Sequence, residues 1–210
     1  MTPLISFAIT VHNEGEYIEK LLKQLVPFCE STGNEIVVLD DYSDEPVTMR
    51  AIGWAKSQNI LFQLGFRKLS GDFAAHKNYL NSLCTGEYIF QIDADELCHD
   101  FLLEYITDIL VNNKHIDLFA VPRVNTVIGL TKEDIRRWGW RVDEQNRVQW
   151  PDYQTRIYRN HPDIKWEGKV HERIVGHKTM TALPAEEVWA LIHKKTIDRQ
   201  RKQNEFYSTI

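Results

Sequence analysis

Three short apolar runs in the first half of the chain each break off at a cluster of acidic and polar side chains. Residues 4–11 (LISFAITV) end in His12-Asn13-Glu14-Gly15, residues 35–39 (EIVVL) in Asp40-Asp41-Tyr42-Ser43-Asp44, and residues 87–92 (EYIFQI) in Asp93-Ala94-Asp95-Glu96. Unbroken apolar runs rich in β-branched residues suit strands buried on both faces. Between them the spacing turns helical. Tyr17, Ile18, Leu21, Leu22 and Leu25 recur at intervals of three and four, which predicts a helix over 16–28 with Pro27 and Gly33 at its exit. Further helices are expected over 46–56, 73–84 and 100–112, and short strands over 60–64 and 116–122. Strands alternating with helices predict an α/β fold, a Rossmann-like, mostly parallel sheet flanked by helices. In open sheets of this kind, ligands bind at the carboxyl ends of the strands, so the three polar ends should converge on one crevice.

Past Pro122 the texture changes. Trp138, Trp140, Trp150 and Trp166 fall among arginines and aspartates, which reads as loops and short strands rather than a second domain. Residues 188–192 look strand-like, and the polar tail 194–210 looks helical. A length of 210 residues suits a single domain with a real core, in which Trp54 is expected to be buried. The net charge of -5 argues against a protein that holds nucleic acid chiefly by charge, although 136–147 is a local basic cluster. Cys29, Cys84 and Cys98 fit no metal-binding spacing and read as reduced thiols. The N-terminus lacks the pattern of a signal peptide, and no window carries 18 apolar residues. A cytoplasmic protein without a transmembrane segment is expected.

Asp93-Ala94-Asp95 is the central chemical feature. Two carboxylates at i and i+2 on an extended run point to the same side. Hard cations such as Mg²⁺ or Mn²⁺ take oxygen ligands from one or two carboxylates and complete their shell with substrate phosphates. The pair therefore suits a metal-bridged diphosphate.

At this point the residues resemble a known family. The segment Ile5-Ser6-Phe7-Ala8-Ile9-Thr10-Val11-His12-Asn13-Glu14 is similar to the first strand and loop of family 2 glycosyltransferases. Val38-Leu39-Asp40-Asp41-Tyr42-Ser43-Asp44 resembles their second strand end, and residues 86–96 (GEYIFQIDADE) resemble their metal-binding element. Arg156-Ile157-Tyr158-Arg159 and Trp166-Glu167-Gly168-Lys169-Val170-His171-Glu172 look like a subgroup that includes lipopolysaccharide-core glucosyltransferases.

The resemblance implies a GT-A fold with residues 1–122 as the nucleotide-sugar-binding half and 123–210 as the acceptor-binding and catalytic half. It implies a nucleoside-diphosphate-sugar donor, with a UDP-sugar favoured. Thr10 and His12 would line the base and ribose pocket with Glu14 nearby, Asp41 would accept a hydrogen bond from the base, and Lys77 would lie near the diphosphate. Asp93 would sit near the ribose or the metal, and Asp95 would ligate Mn²⁺ or Mg²⁺. His193 and His171 compete as a further metal ligand, since either imidazole can bind a divalent ion.

An inverting transfer needs a carboxylate to take the acceptor proton while the metal stabilises the departing diphosphate. Glu172 is the first candidate and Asp152 the reserve. Trp138 and Trp140 beside Arg136, Arg137 and Arg141 are candidates for an acceptor wall, because aromatic faces pack on sugar rings and arginines bind anions. A saccharide acceptor is expected. A DNA acceptor with modified bases and a non-catalytic sugar-nucleotide-binding module are the alternatives. A nucleotidyltransferase fits poorly, because the loop after the first strand is His12-Asn13-Glu14-Gly15-Glu16 rather than glycine-rich and basic.

Overall fold

The computed structural model describes residues 2–207. Its first half alternates as expected: β1 (Ile5–Val11), α1 (Gly15–Thr32), β2 (Glu35–Asp40), α2 (Pro46–Lys56), β3 (Leu61–Phe66), α3 (Phe73–Leu83) and β4 (Tyr88–Asp93). Then come β5 (Glu96–Cys98), α4 (Asp100–Asn112), β6 (Leu118–Val121), β7 (Arg123–Ile128) and α5 (Lys132–Trp138). The chain continues through β8 (Gln154–Arg159), β9 (Lys165–Glu167), β10 (Arg173–Val175), β11 (Met180–Ala182), β12 (Leu191–Thr196) and α6 (Ile197–Tyr207).

Seven strands form the main sheet in the order β11-β6-β8-β4-β1-β2-β3. All are parallel except β8, which runs antiparallel between β4 and β6. β1 shows why the sheet is covered on both faces. Ile5, Phe7, Ile9 and Val11 pack with α1, α2 and α4, while Ala8 packs with Ala74 and Leu80 of α3 and with Trp166 and Ile174 of the β9–β10 hairpin. Two smaller sheets, β10-β9 and β5-β12-β7, carry most of the second half.

Register brings the polar strand ends level. Thr10 lies opposite Leu39 and Asp93, and Val11 opposite Asp40. The chain steps from β1 to β2 on one side and to β4 on the other, so β1 and β4 flank the point where strand order reverses, the expected place for a crevice.

Three expectations change. α1 runs through Pro27 to Thr32 and stops at Gly33, whose φ of 71° closes the helix in the left-handed region. Val26 and Cys29 are buried on either side of Pro27, and that packing outweighs the one backbone bond a proline removes. Trp54 is 37% exposed, because Ala51, Ile52 and Ala55 form the buried face of α2. The segment QTRIYR, expected among loops and short strands, is an internal strand of the main sheet, and its arginines hide that placement from a reading based on apolar runs.

Candidate active site

A cavity of about 620 Å³ opens over the carboxyl ends of the strands. Thr10, His12 and Glu14 from the β1 end, Asp41 from the β2 end, the 68–73 loop, His76 and Lys77 of α3, and Asp93, Ala94 and Asp95 line it. Asn13 stitches two of these ends together. Its side chain accepts from the backbone N–H of Asp44 and Glu45, each at 3.0 Å, and donates to Asp44 Oδ1 at 2.9 Å. His12 Nδ1 lies 2.8 Å from the Asp41 carbonyl oxygen, and Asp41 Oδ1 accepts from Leu69 N–H at 3.1 Å.

A second cavity of about 480 Å³ lies beside the first, lined by Trp140, Trp166, Arg123, Asn125, Asp152, His171, His193 and Lys195 among others. The two cavities share Lys77, Asp93, Asp95, Glu172 and Gln203. Every acidic residue singled out as metal ligand or first-choice base therefore stands on the seam. The first cavity draws mostly on residues 1–122 but also takes Glu172, Arg199 and Gln203 from the second half.

His193 reaches the seam through strand register. β12 lays it opposite Glu96 of β5 and Asn125 of β7. Its Nδ1 is 2.8 Å from Asn125 Oδ1, and its Nε2 is 3.2 Å from Asp95 Oδ2. The Asn125 amide is fixed from its other end, where Nδ2 donates to Asp152 Oδ2 at 2.8 Å. The amide oxygen is thus placed to accept an Nδ1 proton, the tautomer that would free Nε2 for a metal, whereas without one Nε2 faces the Asp95 carboxylate as a donor. Burial works against the charge on Asp95, but the hydrogen bond and charge of His193 together with the Arg199 charge outweigh it and hold the carboxyl down at about 2.

Asp93 differs from Asp95 although both line both cavities. β4 ends at Asp93 and the chain turns, so the alternation rule does not carry on to Asp95. Both oxygens of Asp93 accept from Arg156, which also donates to Glu96 Oε1 at 2.9 Å. Burial opposes the Asp93 charge, yet the Arg156 guanidinium holds this carboxyl well below the usual carboxylate range. Glu96 is fully buried and also takes Arg123 Nη1 at 2.9 Å and the Asp93 backbone N–H at 3.0 Å.

Asp152 is similarly occupied. Its carboxylate accepts from Arg123 Nε and Nη2, Asn125 Nδ2 and Gln154 Nε2. Burial raises its proton affinity, and the Arg123 charge together with the hydrogen bonds from Asn125, Arg123 and Gln154 more than reverses that.

Glu172 sits at the end of the β9–β10 loop, where its Oε1 accepts from Lys77 Nζ at 2.7 Å. Both are largely buried, and Lys77 Nζ also stands 4.4 Å from the Trp166 ring centroid. The hairpin is fixed by Asn78, which bonds Trp166 N–H at 2.9 Å and Trp166 O at 2.8 Å. Lys77 is therefore no solvated helix residue. His171 lines the second cavity next to Glu172, whereas His193 is the histidine that meets Asp95. Trp138 and Trp140 pack with ring centroids 4.7 Å apart and planes tilted by 50°, and Trp140 forms part of the cavity wall.

The donor set fits a hard divalent cation that arrives with a phosphate ligand. Asp95 and His193 offer one oxygen and one nitrogen. Among the described residues no cluster of three or more His, Cys, Asp or Glu side chains is arranged to hold an ion. Mg²⁺ and Mn²⁺ commonly fill such incomplete shells with substrate phosphate and water. Cys98 is excluded as a ligand by its place in the core, where burial pushes its thiol well up.

The family model for glycosyl transferase family 2 matches residues 6–175. The chain belongs to glycosyl transferase family 2. It is 27% identical over 173 residues to the SPbeta prophage-derived glycosyltransferase SunS of Bacillus subtilis (strain 168), covering 81% of this chain and 35% of that protein. It is 28% identical over 102 residues to the poly(ribitol-phosphate) beta-N-acetylglucosaminyltransferase TarP of Staphylococcus aureus (strain N315), covering 48% of this chain and 31% of that protein. The chain thus spans about a third of the length of these relatives. S. aureus TarS 1-349 in complex with UDP-GlcNAc has the same fold, with a TM-score of 0.63 at 19% identity over 91% of this chain and 58% of that one.

Within this family 2 domain, the residues that sequence reasoning missed are mostly basic or amide. Arg123, Asn125, Lys195, Arg199 and Gln203 all line the two cavities. For three of them the signal was present only as polar residues in strand-like runs, Arg123 and Asn125 in RVNTVI and Lys195 in LIHKKT, while Arg199 and Gln203 lie in the polar α6. No helix among the described residues is long and apolar enough to cross a membrane.

Proposed function

We propose that this chain binds a nucleoside-diphosphate sugar in the 620 Å³ cavity and transfers the sugar, with inversion, to a hydroxyl acceptor held in the adjoining 480 Å³ cavity. The observation that carries this reading is the seam, where Asp95, Glu172 and Lys77 face both cavities at once. A displacement at the anomeric carbon needs donor and acceptor on opposite sides of one set of charged groups.

Glu172 takes the proton of the acceptor hydroxyl as the acceptor oxygen forms its bond to the anomeric carbon. The bond from that carbon to the diphosphate oxygen breaks with its electron pair, and the nucleoside diphosphate leaves. Asp95 and His193 would hold Mn²⁺ or Mg²⁺, which supplies charge stabilisation for the leaving diphosphate. Thr10, His12, Glu14 and Asp41 hold the nucleoside, for which UDP is favoured, and Asp93 holds its place through Arg156. Asp152 orients Asn125 and Arg123 in this reading, and Glu172 is the base.

Trp140 gives the second cavity an aromatic face for a sugar ring. A saccharide or polyol acceptor is favoured, and the lipopolysaccharide-core type belongs to that class. A DNA acceptor is less favoured, since Arg147 of the 136–147 stretch is paired with Asp143 at 2.6 Å and Glu187 at 2.7 Å.

The test is release of nucleoside diphosphate from a panel of donors, with Mn²⁺ or with chelator and with sugar or polyol acceptors. Metal-dependent release that Glu172→Gln lowers by about 10²–10⁴-fold supports the mechanism. Release at the wild-type rate in Glu172→Gln removes Glu172 as base.

A further inference from the structure

α6 begins directly after β12, so the segment that delivers His193 also delivers Arg199. Arg199 lines the donor cavity. Its Nη2 donates to Glu14 Oε2 and to Asp95 Oδ2, the latter at 3.1 Å, and its guanidinium lies 4.5 Å from the Tyr17 ring centroid. Asp95 Oδ2 is the oxygen that also meets His193 Nε2. One cationic side chain thus bridges the β1 and β4 strand ends at the carboxylate best placed to ligate a metal. Burial pushes the Glu14 carboxyl up, with the Asp95 charge adding to that, and Arg199 offsets only part of the rise.

We propose that Arg199 is a diphosphate-binding residue that neutralises Asp95 while no cation is bound and turns to the donor's diphosphate when cation and donor arrive. The inference rests on the donor reading given above. A divalent ion on Asp95 Oδ2 repels a guanidinium on the same oxygen, so the two do not share it. Glu14 and Tyr17 keep the Arg199 side chain at the cavity wall. Among the described residues both ion pairs use Nη2, which leaves Nε and Nη1 of the fork for phosphate oxygens, the geometry in which arginine binds best. Gln203, one turn further along α6, lines both cavities, so the same helix face continues onto the seam.

Calorimetric titration separates this role from that of a mere staple for α6. Mn²⁺ alone, and then UDP at saturating Mn²⁺, are titrated into wild type, Arg199→Ala and Arg199→Lys, with thermal unfolding as a check on folding. The proposal expects Arg199→Ala to bind Mn²⁺ alone more tightly and UDP about tenfold more weakly. Arg199→Lys should fall between, since a point charge replaces the fork. Should Arg199→Ala not fold, Arg199→Lys decides, and unchanged UDP affinity in it overturns the proposal. UDP affinity unchanged in Arg199→Ala overturns the proposal while leaving the donor reading intact. A wild-type protein that binds neither UDP nor any other nucleoside diphosphate with Mn²⁺ overturns the donor reading, and this proposal with it.

Discussion

His193 Nε2 lies 3.2 Å from Asp95 Oδ2, held there by an Asn125 amide whose own orientation is set by Asp152. The side chains that would hold the metal are therefore tuned from behind. Replacing Asn125 with Leu removes the acceptor for the Nδ1 proton while leaving both ligands in place. The expected result is a 10–100-fold loss of Mn²⁺ affinity in the presence of UDP, the range typical of lost outer-shell partners. Manganese binding followed by paramagnetic resonance checks it, and unchanged affinity would show that the tautomer is not set by Asn125.

The two candidate bases can be separated by chemical rescue. Asp152 receives four hydrogen bonds from Arg123, Asn125 and Gln154, whereas Glu172 is paired with Lys77. Transfer in Glu172→Ala should recover on adding formate, because a small carboxylate can enter the vacated space and take the acceptor proton. Asp152→Ala should lose activity without recovery, since its role is to orient neighbours. Rescue of Asp152→Ala instead would exchange the two assignments.

The buried Arg156 is the strongest stability prediction. It is 4% exposed and pairs with Asp93 and the fully buried Glu96. Arg156→Met leaves Asp93 without its main partner and the buried Glu96 with one guanidinium of two, and should cost about 3–5 kcal/mol, read from urea unfolding. The pH dependence follows from the depressed carboxyls. Asp93 and Asp95 stabilise the fold fully above their unfolded values near 4 and lose that contribution as pH falls through their lower folded values, which for Asp95 is about 2. Arg156→Met should show a shallower loss of stability below pH 4 than wild type.

Lys195 gives the opposite limb. Burial lowers its pKa to about 8, and its Nζ donates to Gln203 Oε1 at 2.7 Å. Between pH 8 and its unfolded value near 10.4, the unfolded chain binds the proton that the folded chain has released, so stability rises with pH in that window. Below pH 8 the folded chain carries a buried charge, and Lys195→Met should stabilise it there by up to roughly 3 kcal/mol. Unfolding at pH 7 and pH 10 should differ by that contribution in wild type and not in the variant.

The sheet was legible because β1, β2 and β4 are unbroken apolar runs, and each ends where the chain must meet solvent and ligand. β8 was not, because Arg156 points its charge at Asp93 from inside the sheet, and an arginine in a short run reads as a loop. The first cavity could be anticipated from contiguous motifs. The seam could not, since it depends on a hairpin that lifts Glu172 to Lys77 and on a register that sets His193 opposite Asn125. Arg199 lies 104 residues from Asp95 in a polar tail with no periodic signal, so only the packed fold reveals it.

Thermal melting against nucleoside-diphosphate sugars, with Mn²⁺, with Mg²⁺ and with chelator, tests the central claim most directly. A donor held at a hundred times its dissociation constant adds about 2.7 kcal/mol to the folded state, enough to raise the melting temperature by several degrees. The account predicts that one donor stabilises the wild type only when metal is present, and that Asp95→Ala abolishes the shift. A panel in which no donor shifts the transition, or a shift that persists in chelator and in Asp95→Ala, would contradict it.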